Sequence, residues 1–381
     1  MQCPRCLNTD QSYFYKGSRG WYCRKCISFS RVLLAEEQEP VDLAEVRASA
    51  EEYELTYPLT EKQAEIARQC VQKAETADIL IKAVCGAGKT EIVVPVIAAM
   101  LRKKKKVCFA IARRQVVLEL AARLQKIFPR AAVVPVCQGY TQRLSGDLII
   151  CTTHQLYRYY QAFDLLILDE PDAFPFRGNE VLHGIAATAC RGHRIYLTAT
   201  PDRTLLRQVS RKQMLMLELN VRPHGHPLPE PREKTGFAVM RLFWLVRWLN
   251  DHADHPRIVF VPTIRLAGRL GLFLGFLFDC SVCTSQTPDR DRMIEAFRNK
   301  TAGVMVATTV LERGVTIPGV DICVYNADHR VFDEAGLVQM AGRAGRTFRQ
   351  PDGDVLFLLR ESSETAARCI SEIRRANRCA A

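Results

Sequence analysis

AVCGAGKTE, Ala83 to Glu91, stands between the largely apolar, β-branched DILIKAV (Asp78 to Val84) and IVVPVIAAML (Ile92 to Leu101), a run of helix length. A buried strand followed by a glycine-rich turn and a helix is the setting of a phosphate-binding loop. Gly86 and Gly88 allow the backbone N–H groups to face an anion. Lys89 can then reach the β and γ phosphates, and the Thr90 hydroxyl can ligate Mg²⁺. The stretch departs from GxxxxGKT only at Ala83. A glycine turn with an incidental Lys-Thr would not explain the strand and helix on either side.

Outward from this loop the strand pattern returns at VCFAIA (Val107 to Ala112), LIICTT (Leu148 to Thr153), LLILDE (Leu165 to Glu170) and IYLTAT (Ile195 to Thr200), with helical stretches between. Such alternation predicts an α/β fold with a mostly parallel sheet, whose ligands bind outside the carboxyl ends of the strands. Polar signatures stand at those ends: ARRQ (Ala112 to Gln115), TTHQL (Thr152 to Leu156), DEPD (Asp169 to Asp172) and TATP (Thr198 to Pro201). Asp169 is placed to hold Mg²⁺, and Glu170 to polarise the attacking water. Before the loop, LTEKQAEIA (Leu59 to Ala67) starts a helix capped by Thr60, and Gln63 is compatible with reading an adenine edge.

The proline-rich Val221 to Lys234 can form neither core strand nor core helix, which suggests a domain boundary. Beyond it come IVFVPT (Ile258 to Thr263), VMVATT (Val304 to Thr309), ICVYNA (Ile322 to Ala327) and VLFLL (Val355 to Leu359), a second parallel α/β pattern without its own phosphate loop. Its distinctive loops are TTVLERGVTIP (Thr308 to Pro318) and QMAGRAGR (Gln339 to Arg346). Arg343 and Arg346, three apart, project in similar directions on a helix or helical turn. Either can donate a fork of hydrogen bonds to a γ-phosphate held by the first domain.

The N-terminus reads CPRC (Cys3, Cys6), sixteen residues, then CRKC (Cys23, Cys26), with Tyr13, Phe14, Tyr15, Trp21 and Tyr22 between. Two CxxC knuckles at this spacing predict a structural four-thiolate zinc site, with the aromatics packed beside it. A redox dithiol pair is the competing reading. The expected organisation is therefore a zinc module at 1–31, a connecting helix or linker at 32–58, an ATP-binding domain at 59–220, a linker at 221–235 and a second domain at 236–381. Another CxxC, Cys280 and Cys283, has no second pair near it in sequence and reads as structural.

The 381 residues are 48% hydrophobic, enough for more than one core, and a net charge of +12 with a pI near 9.1 suits a polyanionic partner. The most apolar later run, LGLFLGFLF (Leu270 to Phe278), is too short to span a bilayer and reads as a buried helix. With no signal peptide at the start, and most of the other cysteines in apolar strand or helix patterns, a reducing cytoplasm is expected.

With these residues in hand, the chain resembles helicase superfamily 2, of the DEAD-like kind, from about Leu59 to Leu359. The resemblance implies two tandem RecA-like domains. Gln63 matches the Q motif, Gly86 to Thr90 motif I, Ala112 to Gln115 motif Ia, Asp169 to Asp172 motif II, Val259 to Thr263 motif IV, Thr308 to Thr316 motif V and Gln339 to Arg346 motif VI. It implies nucleotide contacts from Gln63, Gly86, Ala87, Gly88, Lys89, Thr90, Glu91, Asp169 and Gln339. Catalytic roles fall to Lys89, Asp169, Glu170, Arg343 and Arg346. Arg113, Thr153, Thr263 and Thr309, with Thr198 and Thr200 of motif III, form the coupling and DNA-facing set.

Within that superfamily the cysteine module, AVCGAGKTE, DEPDAFPF and QMAGRAGR together resemble the ComFA family of late competence ATPases. That resemblance implies a cytoplasmic ATPase, peripheral at the inner face of the membrane and without a transmembrane segment of its own. It is expected to use ATP, Mg²⁺ and Zn²⁺, to be stimulated by single-stranded DNA and to help draw transforming DNA through a membrane channel, with ComFC-like and DprA-like proteins as partners. DEPD carries Pro where that family more often shows Val, leaving both carboxylates in place. The competing readings are a PriA-like restart helicase, whose cysteine cluster lies between the helicase motifs, and an ATP-switched DNA-binding adaptor docking partners through its zinc module. An RNA helicase fits the N-terminal zinc pattern less well.

Overall fold

In the computed structural model all residues are described except 37, 44–52, 301, 312–316, 348–349 and 381. The chain forms two compact units: residues 1–82 with 88–219, and residues 220–381 with 83–87.

The first unit opens with a small hairpin, β1 (Phe14–Gly17) and β2 (Gly20–Cys23). It continues through α1 (Glu61–Lys73), β3 (Asp78–Ala83), α2 (Lys89–Arg102), β4 (Val107–Ile111), α3 (Arg114–Ile127), β5 (Val133–Val136), β6 (Leu148–Thr152), β7 (Phe163–Asp169), α4 (Glu180–Ala189), β8 (Cys190–Thr198), α5 (Arg203–Ser210) and β9 (Met214–Leu219). Strands β3 to β9 form one sheet in the order β5-β6-β4-β7-β8-β3-β9, and the pairs from β5 across to β3 are parallel. Parallel strands covered on both faces must be apolar throughout, which is why β4 and β6 are buried at every residue.

The second unit contains β10 (Arg232–Thr235), α6 (Ala238–Asp251), β11 (Pro256–Phe260), α7 (Ile264–Gly275), β12 (Cys280–Cys283), α8 (Arg290–Arg298), β13 (Gly303–Ala307), β14 (Asp321–Tyr325), α9 (Glu334–Ala341), β15 (Val355–Leu359) and α10 (Glu364–Ala380). Its sheet is parallel in the order β10-β15-β14-β11-β13-β12. The two-residue strand period divides its apolar residues between two cores. Ile258, Phe260, Met305, Ile322 and Phe357 join one, while Val259, Val304, Val306, Cys323 and Leu356 join the other.

One expectation changes. LGLFLGFLF is not buried all round: Leu270 and Leu274 pack inward, whereas Leu272, Phe273, Phe276 and Leu277 are exposed, because only one side of α7 meets the sheet. The proline-rich segment ends in β10, a fully exposed edge strand whose position at the sheet margin needs no core side chains. The described parts of 32–58 contain no helix, and the remainder, 44–52, lies outside the described residues. Cys280 and Cys283 both lie on the edge strand β12, where burial pushes each thiol up to about 11, as inert structural cysteines require.

The four-cysteine module packs on α4 within the first unit. Residues spaced four apart on that helix make the contact: Glu180 pairs with Lys25, and Thr188 Oγ1 donates to the Arg5 carbonyl at 2.9 Å. Between them lies Gly184, where an added Cβ would stand 2.0 Å from the Cys6 carbonyl oxygen. Backbone cannot yield as a flexible side chain can. Gly184→Ala is therefore expected to cost about 1–3 kcal/mol and lower the melting temperature. Zinc content should stay at the wild-type level, checked by calorimetry beside metal analysis.

Candidate functional site

The strand order arranges the signatures along one carboxyl edge of the first sheet. Reading across β6, β4, β7, β8 and β3, that edge carries Thr153, Arg113, Asp169 with Glu170, Thr198 with Thr200, and the phosphate loop. The nucleotide signatures thus follow three adjacent strands, and Arg113 and Thr153 follow the next two.

The loop has the backbone its glycines were expected to supply. Gly86 and Gly88 take φ of 83° and 76°, in the left-handed region that costs glycine little. Gly88 is also the N-cap of α2, so Lys89 and Thr90 begin that helix, where its unpaired N–H groups favour an anion. Lys89 Nζ lies 3.9 Å from Glu170 Oε1, and the Glu170 N–H donates to the Leu197 carbonyl at 2.8 Å, fixing the turn after β7 against β8. Asp169 closes β7. Its carboxylate and the Thr90 hydroxyl are hard oxygen donors, which fit Mg²⁺.

Gln63 takes a more structural place than its sequence signal suggests. It is the third residue of α1, its Oε1 accepts from the Thr60 N–H at 2.9 Å, and its backbone N–H donates to Thr60 Oγ1 in a capping box. Its amide Nε2 would lie 2.5 Å from a Cβ built on Gly88, so it also sits against the phosphate loop. Glu91 faces Arg123 of α3, with Glu91 Oε1 3.5 Å from the guanidinium.

Asp172, the last residue of DEPD, ties two signatures together. The Thr198 hydroxyl donates to one of its carboxylate oxygens, and the Thr200 hydroxyl donates to the other at 2.7 Å. The Thr200 N–H donates in turn to Thr198 Oγ1 at 2.9 Å. Asp172 and Thr198 are both buried, so these groups join β7 to β8 from inside. Thr153, also buried, opens a 3₁₀ turn after β6, and Arg113 is the N-cap of α3.

In the second unit, Thr263 caps α7 by accepting from the Leu266 N–H at 3.2 Å, and Thr309 starts a short 3₁₀ turn after β13. Residues 312–316 of the motif V segment lie outside the described residues. Gln339 is buried on α9, while Arg343 and Arg346 lie in the turn that follows it rather than on the helix. Arg343 is buried, and Arg346 Nε donates to the Gly342 carbonyl at 2.8 Å.

Sequence reasoning missed Arg222, at the start of the proline-rich segment. Its guanidinium donates to the carbonyls of Gly342 at 3.0 Å and Ala344 at 2.8 Å, and to that of Gly345, so one fork binds the turn carrying both arginines. Burial and the neighbouring Arg346 charge draw its pKa down to about 10, which still leaves it charged. An arginine in a proline-rich stretch offers no periodicity or motif by which to find it.

The four thiols converge. Their sulfurs all lie within 4.8 Å of one another, with Cys3 to Cys26 at 3.7 Å and Cys6 to Cys23 at 3.8 Å. A regular tetrahedron of thiolates at the usual Zn–S distance has edges of about 3.8 Å, so the set fits zinc. All four are buried; the hydrogen bond to Cys26 holds the Cys3 thiol far down, while the bond to Cys3 pushes the Cys26 thiol up.

Cys3→Ala or Cys23→Ala is expected to release the metal stoichiometrically, read with a chromogenic chelator, while basal ATP turnover falls less than twofold. Asp172→Ala, which leaves the buried Thr198 hydroxyl and the half-buried Thr200 hydroxyl without their acceptor, should cost about 1–3 kcal/mol of stability and weaken the coupling of nucleic-acid binding to ATP turnover. Comparing basal with stimulated hydrolysis separates those two effects.

Known proteins are similar to this chain over most of its length. Residues 56–203 match the family model described as type III restriction enzyme, res subunit, and residues 240–348 match the helicase conserved C-terminal domain. The competence protein ComFA of Bacillus subtilis is 34% identical over 93% of this chain and 81% of its own length. ComFA of Streptococcus pneumoniae is 34% identical over 99% of this chain and 90% of its own. Among solved structures, Saccharomyces cerevisiae Dbp5 bound to RNA and ADP BeF3 shares the fold at a TM-score of 0.65 and 16% identity, covering 84% of this chain and 91% of that one. With a phosphate loop and DEPD at one sheet edge, a second RecA-like domain and two relatives alike over 81% and 90% of their length, the chain belongs to the ComFA family of competence proteins, ATPases of helicase superfamily 2.

Proposed function

We propose that this ATPase is a single-stranded-DNA translocase that drives uptake of transforming DNA during natural competence. The observation that carries the catalytic part is the placement of Lys89, at the start of α2, and Glu170, just after β7, 3.9 Å apart at one edge of the sheet. In this reading the Lys89 ammonium and the α2 N-terminus hold the phosphates. Glu170 accepts the proton of the attacking water, and Asp169 and Thr90 hold Mg²⁺, which neutralises charge on the β and γ oxygens when bound. Arg343 and Arg346 complete the site from the second domain by stabilising charge on the γ-phosphate as the interdomain cleft closes. Gln63 and Gln339 set the nucleotide's position, and the Asp172–Thr198–Thr200 link carries the change toward Arg113 and Thr153. Thr263 and Thr309 meet the strand from the second domain.

Membership of the competence family supports the uptake role. DNA as substrate, ComFC-like and DprA-like proteins as partners, and work at the cytoplasmic face of the membrane channel belong to the same reading. No helix among the described residues is long and apolar enough to cross a membrane.

Steady-state ATP hydrolysis with no nucleic acid, single-stranded DNA, forked duplex and RNA, each at two salt concentrations, tests it. Single-stranded DNA is expected to stimulate most. Lys89→Ala and Glu170→Gln should each lower stimulated turnover about 10²-fold or more with the fold intact by circular dichroism. Normal turnover in either variant removes this active site, and stimulation chiefly by forked duplex would favour an unwinding helicase.

A further inference from the structure

The zinc module carries more aromatic surface than its core uses. Its core is the four cysteines with Phe14 and Val32, and Tyr22 is buried beside them. Tyr13, Tyr15 and Trp21 are 40%, 53% and 42% exposed, so the expectation that all the aromatics pack around the metal holds only for Phe14 and Tyr22. The reason is the hairpin's two-residue period: the alternation that turns Phe14 and Cys23 inward turns Tyr15 to the other side, and Trp21 lies beyond the core toward the turn.

Cations accompany these rings. Residues 1–31 contain Arg5, Lys16, Arg19, Arg24, Lys25 and Arg31 against one acidic residue, Asp10. The Arg24 guanidinium lies 5.6 Å from the Tyr15 ring centre and Lys25 Nζ lies 5.1 Å from that of Tyr13. Lys16 stands opposite Trp21 across the hairpin. The pattern continues onto the segment that carries Thr153. Phe29 of the module stacks on His154 and meets Tyr157 in a tilted contact, and Arg5 and Arg158 both lie over the Tyr157 ring, at 5.9 and 4.9 Å.

From this we infer that the exposed hairpin of the zinc module is a second binding site for an unpaired DNA strand passing around its turn, with bases stacking on Tyr15 on one face and Trp21 on the other and phosphates meeting Lys16, Arg19 and Arg24. The positive charge selects a polyanion. Exposed ring faces select one whose bases are unstacked, which a duplex does not offer. The module touches the Thr153 segment through Phe29 and Arg5, so on this reading the metal site serves to hold a grip on DNA outside the motor's own motifs. The inference rests on the translocase reading for its choice of DNA.

The test uses the full zinc-loaded chain and a fluorescently labelled oligothymidylate. Tyr15→Ala with Trp21→Ala is expected to weaken binding about tenfold or more by anisotropy, leaving zinc content and basal ATP turnover at wild-type levels, whereas Tyr15→Phe with Trp21→Phe retains affinity. Lys16→Ala with Arg19→Ala should flatten the salt dependence by about 0.7 in logarithmic slope for each phosphate no longer neutralised. Unchanged affinity in the aromatic pair, while single-stranded DNA still stimulates the wild-type ATPase, overturns this surface, spares the translocase and leaves the face to a protein partner. Affinity lost in the variants without any stimulation of the wild type would leave the surface standing and remove the translocase.

Discussion

A parallel strand covered by helices on both faces can carry almost no polar side chain along its length, so chemistry is displaced to its ends. Both units obey this constraint. β4 and β6 in the first and β11, β13, β14 and β15 in the second are buried at every position. Every signature residue from Lys89 to Thr200 consequently stands at or just beyond a strand end, and the functional layout reduces to strand order. Because β8 lies between β3 and β7, the phosphate loop, the DEPD carboxylates and the threonines of TATP become neighbours although more than a hundred residues separate the first from the last.

The polar groups that do enter the interior are tied together. Asp172 meets both Thr198 and Thr200, and Arg222 meets three carbonyls of the turn bearing Arg343 and Arg346. A buried carboxylate or guanidinium is tolerated only when its hydrogen bonds are made. The same bonds tie the signature loops to their neighbouring segments. Gln63 shows a related economy: one amide caps its helix and rests against the phosphate loop, so the residue is structural and adjacent to the site at once.

The zinc module follows different physics. About thirty residues cannot bury enough apolar surface to offset their ordering, and four thiolates around one metal substitute for the missing core. That substitution frees aromatic residues for the surface, where Tyr15 and Trp21 are found. Docking on α4 then requires a helix position with no side chain, which Gly184 supplies where it meets the Cys6 backbone.

Much of this was legible in the chain alone, for reasons specific to each element. The phosphate loop, the paired CxxC knuckles and the alternation of apolar strands with helices are local patterns, because the backbone turns and ligand spacings they require involve residues near one another in sequence. The two α/β sheets and the four-cysteine cluster were expected on that basis. Other features depended on residues far apart in the chain. Arg222 holds a turn 120 residues away, the LGLFLGFLF run shows only one side to its sheet, and β10 finds its place beside β15 at an edge. Sequence determined which segments could be strands, turns and metal knuckles, since backbone and ligand chemistry act over a few residues. Tertiary structure alone decided which side chains became core, tie or exposed surface, because burial depends on what else the chain brings to the same place.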